Sequence, residues 1–488
     1  MAGPLSQEPG QVPTLVRGLR PALPPAARGR GPVQGAHLHA RASPPQAGGG
    51  GARQLRAGGV GEAAKVYNSR RPMKGMGQAL TFRRELEPYF ARSIRDVARS
   101  YRFSEEELRV LEDADAAAEE IYPLEYEAFL EHRLNLEADR ILKKYNLLGT
   151  SFPPEYGGRG AGLIVTVLCM ERLGQAAPGG AALVSTALGC TPIYLWGSEE
   201  QKRRYLMPAL KGDLVFAYAL TEPNVGSNAS ALEMRYRRQD GGFLLNGEKY
   251  LISNGSIADA IITFARSEET GKVSAFIVER EMGVKTSLKL EHKIGLFTQD
   301  LAMLSYENVL VPKENLLGPE EGGLLVAYSA LHVGRLAVAA ACVGAIEDCL
   351  KASVERAKAR TQFGKPIAKH QLVQQHIAFM AEALEMARWP VYDAAFKVME
   401  WQRNPLDREL RRAADRSTAI AKRVASNLAF QAADRAVQVF GGFGYSTLAP
   451  PTRHFLNLRA TRLYEGTDEI MDLHVAASIL GREYEAFA

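Results

Sequence analysis

Cysteine and tryptophan are scarce in this sequence, with four Cys and three Trp among 488 residues. The four cysteines form no metal-binding or redox motif such as C-x-x-C. Cys342 and Cys349 lie seven residues apart in an alanine-rich run, a spacing that suits one buried helix face. The sequence therefore predicts no metal site and no disulfide framework, and it favours a reducing compartment.

Long hydrophobic runs are also missing. The N-terminus has no hydrophobic region of a secretory signal peptide. The alanine-rich stretch at 337–346 is too short to cross a bilayer, and Arg335, Glu347 and Asp348 flank it. We therefore expect no membrane span.

Acidic residues are nearly absent from residues 1–76, where Glu8 and Glu62 face 11 Lys and Arg. This segment accounts for the formal net charge of +5. The rest of the chain has 49 Lys and Arg against 53 Asp and Glu, a net of −4. Phosphate binding needs clustered cations, so we expect no nucleic-acid partner.

Residues 1–76 are rich in Pro, Gly, Ala and Arg and have no apolar periodicity, which predicts a disordered tail. Its arginines and lack of acids are typical of an organellar transit peptide, which would place the protein in the mitochondrial matrix. Alternatively, translation starts at Met73 or Met76 and the tail is an annotation artefact. We favour the second interpretation and expect a cytoplasmic protein.

The sequence pattern of the remaining residues changes twice along the chain. Residues 77–212 have helical patterns, including "SEEELRVLEDADAAAEEIY", which opens with a serine cap and acids. Residues 213–318 contain short β-branched runs, and "FLLNGEKYLIS" predicts two strands joined by an Asn-Gly turn. Residues 319–488 contain four long helical patterns. We therefore predict an α+β fold with an N-terminal helical domain, a middle β-barrel or sandwich and a C-terminal antiparallel four-helix bundle.

Three motifs occur in order along this framework. They are "YALTEPNVGSNAS" at 218–230, "RTQFGKPIAKHQ" at 360–371, and "QVFGGFGY" followed by "LYEGTDEI". With them, the chain from about residue 80 to 485 resembles the acyl-CoA dehydrogenase family of flavoproteins. The resemblance implies FAD as the cofactor.

The first motif is a loop rich in Pro, Gly, Ser and Asn, whose N–H groups and hydroxyls suit the edge of a flat polar ring. Taken alone, it would also suit a capped surface turn. The resemblance implies that this loop lines the isoalloxazine and that Ser227 also faces the CoA thioester. The cofactor-binding residues expected here are Tyr218, Leu220, Thr221 and Ser227, together with Leu251 and Ser253 on a following strand.

The second motif places an arginine at the end of a long helical pattern, where its planar fork could bind a pyrophosphate. A solvated arginine is the alternative. The resemblance implies that this segment and the "QVFGGFG" loop contact the FAD of a neighbouring subunit, so the protein would be a homo-dimer or tetramer. The residues expected to do so are Arg360, Phe363, Gln371, Gln438, Gly441 and Gly442.

Glu465 stands beside Gly466 between two helical patterns, and glycine is a poor helix residue. By resemblance, Glu465 is the base that removes the α proton of an acyl-CoA, and its backbone N–H helps to bind the thioester oxygen. Thr467 and Glu469 would contact the cofactor. Arg335 and Gly466 join Ser227 as expected substrate contacts. The alternative is a solvated acid near a helix start.

Five positions depart from the family pattern. Leu251 stands where an aromatic residue is usual, Ser253 where threonine is usual, Phe297 where arginine is common, His332 where aspartate is frequent, and Asp472 where arginine is frequent. The resemblance still predicts an FAD-dependent enzyme that forms a trans-2-enoyl-CoA and reduces an electron-transfer flavoprotein. An oxygen-using oxidase, or a non-catalytic flavoprotein with a DNA-binding or assembly role, are the alternatives.

Overall fold

The computed structural model describes residues 102–177, 183–404 and 407–484. The predicted tail, residues 1–76, lies outside the described residues, and so do residues 77–101 of the predicted helical domain. Along the chain, the described part consists of a helical region, a sheet and a second helical region. The predicted α+β fold class is confirmed.

The first helical region begins with a capping box. Ser104 Oγ accepts a hydrogen bond from the Glu107 N–H at 3.2 Å, and Glu107 Oε2 accepts one from the Ser104 N–H at 2.8 Å. These bonds satisfy two N–H groups at the helix start, as the sequence predicts. The described helices of this region are α1 (Glu105–Glu131), α2 (Leu136–Lys144), α3 (Leu163–Ala176), α4 (Thr191–Trp196), α5 (Glu199–Gln201) and α6 (Met207–Leu210), with π-helical turns at Leu183–Cys190 and Lys202–Leu206.

The middle region is one eight-stranded mixed sheet. Seven of its strands lie in the order β6-β7-β3-β2-β4-β5-β8, and β1 pairs with β4 outside this order. β1 and β2 both run parallel to β4, and the other pairs are antiparallel. β4 and β5 are almost wholly buried, which explains their unbroken apolar runs. The strands are β1 (Phe216–Ala219), β2 (Arg235–Gln239), β3 (Gly242–Ser253), β4 (Ala260–Ser267), β5 (Val273–Glu279), β6 (Lys285–Lys289), β7 (Leu301–Pro312) and β8 (Leu316–Leu317).

The predicted hairpin turn at Asn246-Gly247 is wrong, because β3 runs straight through both residues. The register of β3 against β7 shifts between Leu245 and Gly247, where β7 has one residue more than β3 and Asn308 has a φ of 52°. Gly247 has a φ of 144°, and a Cβ there would lie 2.8 Å from the Met234 side chain. The Asn-Gly pair therefore serves a bend and a close approach within a strand.

The second helical region is built around one long central helix, which packs against α3 and against the two long helices that follow it. A small hairpin, β9 (Thr361–Gln362) and β10 (Lys365–Pro366), separates the first two long helices. The helices are α7 (Gly323–Ala359), α8 (Gln371–Arg403), α9 (Arg408–Phe440), α10 (Pro450–Thr461) and α11 (Asp468–Leu480).

Helices α7, α8, α9 and α11 correspond to the four predicted helices, and α10 is an additional helix that the sequence reading missed. It begins with Pro450 and Pro451, and proline is favoured at the first positions of a helix. That signal could have identified α10. This helix matters for the site because it ends shortly before Glu465.

By length and composition, α7 is the one helix among the described residues that could cross a membrane. Within its most apolar window, however, 89% of the residues are buried inside the protein. Alanine and glycine on nearly all its sides allow neighbouring helices to approach closely. This burial identifies α7 as a core helix of the fold.

Candidate functional site

The turn that carries Glu465 lies between α10 and α11. Two successive residues have left-handed backbone, with φ of 55° at Glu465 and 93° at Gly466. A Cβ on Gly466 would lie 2.4 Å from Met471 Cε, so this position requires glycine. Thr467 then caps α11 by accepting a hydrogen bond from the Ile470 N–H at 3.3 Å. The local sequence therefore forces a sharp change of direction at Glu465.

The carboxyl group of Glu465 is held in a poorly solvated environment. Its Oε2 atom is buried and accepts no hydrogen bond from the described residues. Burial raises the pKa of Glu465 to about 7, against the opposing effects of the Arg335 and Lys422 charges. A carboxylate with a raised pKa and an unpaired oxygen is suited to accept a proton at neutral pH.

Two cations hold the backbone of this turn. Arg335 on α7 donates from Nε to the carbonyl oxygen of Glu465 at 3.2 Å. Lys422 on α9 donates from Nζ to the carbonyl oxygen of Gly466 at 2.6 Å. The structure therefore brings the predicted residues Arg335, Glu465 and Gly466 together, whereas Lys422 was missed because its partner lies 44 residues away.

The predicted residues Tyr218, Leu220 and Thr221 lie at the end of β1 and just beyond it. The Tyr218 hydroxyl donates to the Ala327 carbonyl at 3.1 Å, which ties β1 to α7. Burial raises the pKa of Tyr218 well above its usual value, and the charge of Glu465 adds to this effect. Tyr218 is therefore close to Glu465 and stays neutral, while Ser227 lies farther along the exposed part of the loop.

The loop after β1 is anchored by a buried ion pair. Lys249 Nζ lies 2.8 Å from Glu222 Oε1 and also donates to the Leu220 carbonyl at 3.1 Å. Glu222 in turn accepts hydrogen bonds from the N–H groups of Glu233 and Met234. These contacts hold the first motif against β3, and the N–H groups of Glu222 and Val225 bond to each other's carbonyl oxygens.

Two further predicted cofactor contacts, Leu251 and Ser253, lie within the last three residues of β3. Leu251 has a φ of 56° and is 45% exposed, at an irregularity in the pairing of β3 with β7. Ser253 is half-buried at the end of the strand. The left-handed backbone turns Leu251 away from the regular alternation of the strand and leaves it on the surface.

The second motif lies at the far end of α7. Arg360 ends this helix, and Phe363 at the tip of the β9–β10 hairpin is 92% exposed with a φ of 51°. Arg356 packs over the rings of Phe440 and Phe443, with its guanidinium 5.5 Å and 5.8 Å from the ring centres. This contact joins the second motif to the exposed "GGFG" turn, where Gly441 and Gly442 have open space around them. Gln371 and Gln438 are also exposed at this end.

The predicted residues therefore form two groups. Arg335 and Arg360 are separated by 25 residues of continuous helix, which corresponds to about 37 Å at 1.5 Å per residue. One flavin dinucleotide does not span that distance. Within one chain, the group around Glu465 and the group around Arg360 cannot hold the same cofactor molecule.

An apolar cavity lies between α3, the π-helical turn at Leu183–Cys190 and α7. It has about 440 Å³ of empty volume, part of it open to solvent. Met170, Ala187 and Ala337 are among the lining residues, and Val333, which directly precedes Gly334, also lines it. Such a cavity suits a short hydrocarbon chain.

Three of the departures from the family pattern have specific partners. Phe297 stacks on His132 with ring centres 3.9 Å apart. His332 Nε2 lies 2.5 Å from Asp415 Oδ1, and Asp472 pairs with Arg423 at 3.1 Å. Within the described ranges, no cluster of three or more His, Cys, Asp or Glu side chains could hold a metal ion.

The comparisons with known families cover most of the described chain. Residues 104–213 match the family model "Acyl-CoA dehydrogenase, N-terminal domain", residues 217–309 match the middle domain and residues 321–480 match the C-terminal domain. A Bacillus subtilis "Acyl-CoA dehydrogenase" is 38% identical over 69% of this chain and 88% of its own length. A short-chain specific acyl-CoA dehydrogenase of Megasphaera elsdenii is 37% identical over 70% of this chain and 88% of its own length.

Solved structures share the fold. The butyryl-CoA dehydrogenase from Megasphaera elsdenii has a TM-score of 0.72 and 33% identity, over 78% of this chain and 99% of that one. A structure described as the electron transferring flavoprotein of Acidaminococcus fermentans has a TM-score of 0.72 and 35% identity, over 78% and 98%. The structure described as "PigA with FAD and proline" has a TM-score of 0.72 and 27% identity, over 77% of this chain and 98% of that one.

Proposed function

This chain belongs to the acyl-CoA dehydrogenase family, and we propose that Glu465 is the base that removes the α proton of its acyl-CoA substrate. The predicted family, the assignment as an acyl-CoA dehydrogenase oxidoreductase and the cofactor FAD are confirmed by this membership. The observation that carries the proposal is the buried, unpartnered Oε2 of Glu465. Its raised pKa makes the ionised carboxylate a stronger base than a solvated glutamate.

The α proton of a thioester becomes removable only if charge on the thioester oxygen is stabilised. Among the described residues, the backbone N–H groups of Glu465 and Gly466 donate to no other residue. Arg335 and Lys422 bind the two carbonyl oxygens of the same turn and so fix the direction of its peptide groups. We assign the Glu465 N–H as a donor to the thioester oxygen.

The residues around Glu465 fit FAD because the buried Tyr218 lies near Glu465, whose Oε2 is buried and has no hydrogen-bond partner among the described residues. FAD supplies the hydride acceptor for the substrate β carbon, so the product is a trans-2-enoyl-CoA. Tyr218, Leu220, Thr221 and Ser227 would hold the ring, as the sequence predicts. The other residues assigned to it are Leu251, Ser253, Thr467 and Glu469.

The group around Arg360 would bind the FAD of a second subunit, because about 37 Å of helix separates it from Arg335. Arginine suits the pyrophosphate, and the open space at Gly441 and Gly442 allows a close backbone approach. We therefore propose a homo-dimer or tetramer. Light scattering of the purified protein tests this directly, and a monomer that retains FAD would contradict it.

The apolar cavity is the proposed site of the acyl chain. Val333 is one of its lining residues and directly precedes Gly334, where a Cβ would lie 2.9 Å from Glu465 Oε2. The similarity to a butyryl-CoA dehydrogenase and to short-chain specific enzymes supports a short straight chain as the substrate. Anaerobic titration with C4, C8, C16 and branched acyl-CoAs should bleach the flavin most completely with C4, and mass spectrometry should show loss of two hydrogens.

Electron-transfer flavoprotein is the proposed electron acceptor, supported by the similarity to the Acidaminococcus structure. The exposed Leu251 is a candidate for the contact surface because it lies beside the proposed flavin site. Turnover with electron-transfer flavoprotein should be fast and should release little hydrogen peroxide. Stoichiometric peroxide in air would instead support an oxidase.

We propose a cytoplasmic location, with the mitochondrial matrix as the alternative if residues 1–76 act as a transit peptide. N-terminal sequencing of the native protein separates the two, because removal of the tail in a matrix fraction would contradict the cytoplasmic assignment.

A further inference from the structure

Lys422 is a buried lysine in the middle of α9 whose residue has 0% exposure. Its Nζ donates to the carbonyl oxygen of Gly466 at 2.6 Å. Among the described residues, no carboxylate forms an ion pair with it within 4 Å, so this carbonyl is its defined partner. Burying an ammonium group without an ion pair is costly, and an uncharged side chain could fill the same space.

The surroundings of Lys422 are those of the catalytic turn. Burial lowers the pKa of Lys422 to about 8, and Asp468 and Glu465 are the carboxylates whose charges oppose that shift. The positive charges of Arg335 and Lys422 oppose the rise in the pKa of Glu465 that burial causes. Lys422 therefore remains largely charged at neutral pH while its charge acts on Glu465.

Arg335 and Lys422 act on adjacent peptide groups. Arg335 reaches the Glu465 carbonyl from α7, and Lys422 reaches the Gly466 carbonyl from α9. Both residues of the turn have left-handed backbone, which is unfavourable for Glu465 without external support. Two cations, one on α7 and one on α9, thus hold two successive carbonyl oxygens of one turn.

We propose that Lys422 is a positioning residue that clamps the Gly466 carbonyl and thereby fixes the direction of the Glu465 carboxylate. Its charge also keeps that carboxylate ionised over more of the neutral range. This inference rests on the proposed role of Glu465 as the base. Among the described residues, the other charged or titratable groups that face Glu465 are Arg335 from α7, Tyr218 from β1 and the preceding residue Tyr464.

The test compares Lys422→Met with a matched control on the next residue. Arg423 lies on the same helix and also reaches the last helix, where it pairs with Asp472, and no hydrogen bond or ion pair among the described residues joins it to the turn. Arg423→Met therefore removes a cation and a tether between α9 and α11 without removing the clamp. Lys422→Arg retains a cation and serves as the rescue variant. Lys422→Gln replaces the methionine variant if that protein does not fold.

Hydrogen–deuterium exchange of the FAD-loaded proteins measures the clamp independently of activity. Lys422→Met should accelerate amide exchange within residues 463–470 by at least about tenfold, whereas Arg423→Met should leave those amides as in the wild type. Equal acceleration in both variants, or wild-type exchange in Lys422→Met, would overturn the proposal.

The pH dependence of anaerobic flavin reduction measures the effect on Glu465. The acid midpoint should rise by about one pH unit in Lys422→Met, because a cation near the carboxylate is lost. It should stay near the wild-type value in Lys422→Arg and Arg423→Met. An unchanged midpoint in Lys422→Met contradicts the charge effect. If no acyl-CoA reduces even the wild-type flavin, the proposed function fails, while the exchange data still decide the clamp.

Discussion

Gly334 on α7 lies directly against the carboxyl group of Glu465. A Cβ atom at Gly334 would lie 2.9 Å from Glu465 Oε2 and 2.9 Å from Leu188 Cδ2. A glycine at this position leaves the space that the carboxyl group occupies. It also means that residue 334 itself provides no second acid, so Glu465 is the acidic side chain at this point of the site.

Gly334→Ala should slow flavin reduction by acyl-CoA, by about tenfold or more, because the added methyl displaces the carboxyl group from its position. Stopped-flow absorbance with butyryl-CoA measures the rate. The FAD content and thermal midpoint of the same variant serve as controls, since the change adds one methyl to a helix. A wild-type rate in a protein with full FAD would show that the carboxyl position is not critical.

The raised pKa of Glu465 predicts a dependence of stability on pH. A carboxyl group with a folded pKa of about 7 and an ordinary pKa of 4.5 binds more protons in the folded state between these values. The stability of the apoprotein should therefore fall by up to about 3 kcal/mol as pH rises through this window. Glu465→Gln should lack that decrease, so it should be more stable than wild type at pH 8.

Chemical denaturation of both apoproteins at pH 5 and pH 8 checks this prediction. Parallel decreases in the wild type and in Glu465→Gln would mean that other groups cause the dependence, and that Glu465 has an ordinary pKa.

The buried ion pair between Lys249 and Glu222 should be important for stability and for the loop after β1. Glu222→Gln removes the ion-pair partner of the buried Lys249, at a cost of roughly 3–5 kcal/mol. Denaturation should show this loss, and FAD should dissociate more readily because Lys249 also holds the Leu220 carbonyl.

The matched control is the exposed pair of Lys285 and Glu307 in the same sheet, which has the same 2.8 Å separation. Glu307→Gln should leave the denaturation midpoint and FAD content unchanged, because exposed pairs contribute little. Equal effects from the two substitutions would contradict the importance of burial.

The apolar cavity predicts a change of chain-length preference. Ala337→Leu should fill part of the cavity and reduce kcat/KM for C8-CoA at least tenfold more than for C4-CoA, because one or more methylenes lose their space. Met170→Ala enlarges the same cavity and should shift the preference toward longer chains. If both variants retain the wild-type ratio, the acyl chain binds elsewhere.

The sequence was sufficient to predict the order of helices and sheet, since composition and periodicity change clearly near residues 213 and 319. The glycine between two helical patterns is a local signal for the break at Gly466, while the choice of Glu465 as the base depended on the family resemblance and stays a prediction. The Asn246-Gly247 turn was wrong because glycine is also needed where a strand passes close to another side chain, as Gly247 does at Met234.

Contacts between distant segments were beyond the sequence. Lys422 lies in an ordinary helical pattern, and its contact with the Gly466 carbonyl depends on how α9 packs beside the turn. The separation of the predicted cofactor residues into two groups likewise depends on α7 being one unbroken helix. Both features follow from packing and helix length, which no single motif contains.

The most direct test of Glu465 as the base is anaerobic flavin reduction in wild type and Glu465→Gln, with FAD content and oligomeric state matched. Butyryl-CoA should reduce the wild-type flavin, seen as bleaching of its absorbance, during the anaerobic mixing measurement. The variant should bind the same ligand, with a spectral shift of the oxidised flavin, and remain oxidised, with a reduction rate lower by at least about a thousandfold. Rapid bleaching of Glu465→Gln at the wild-type rate would contradict the account, because another group would then remove the α proton.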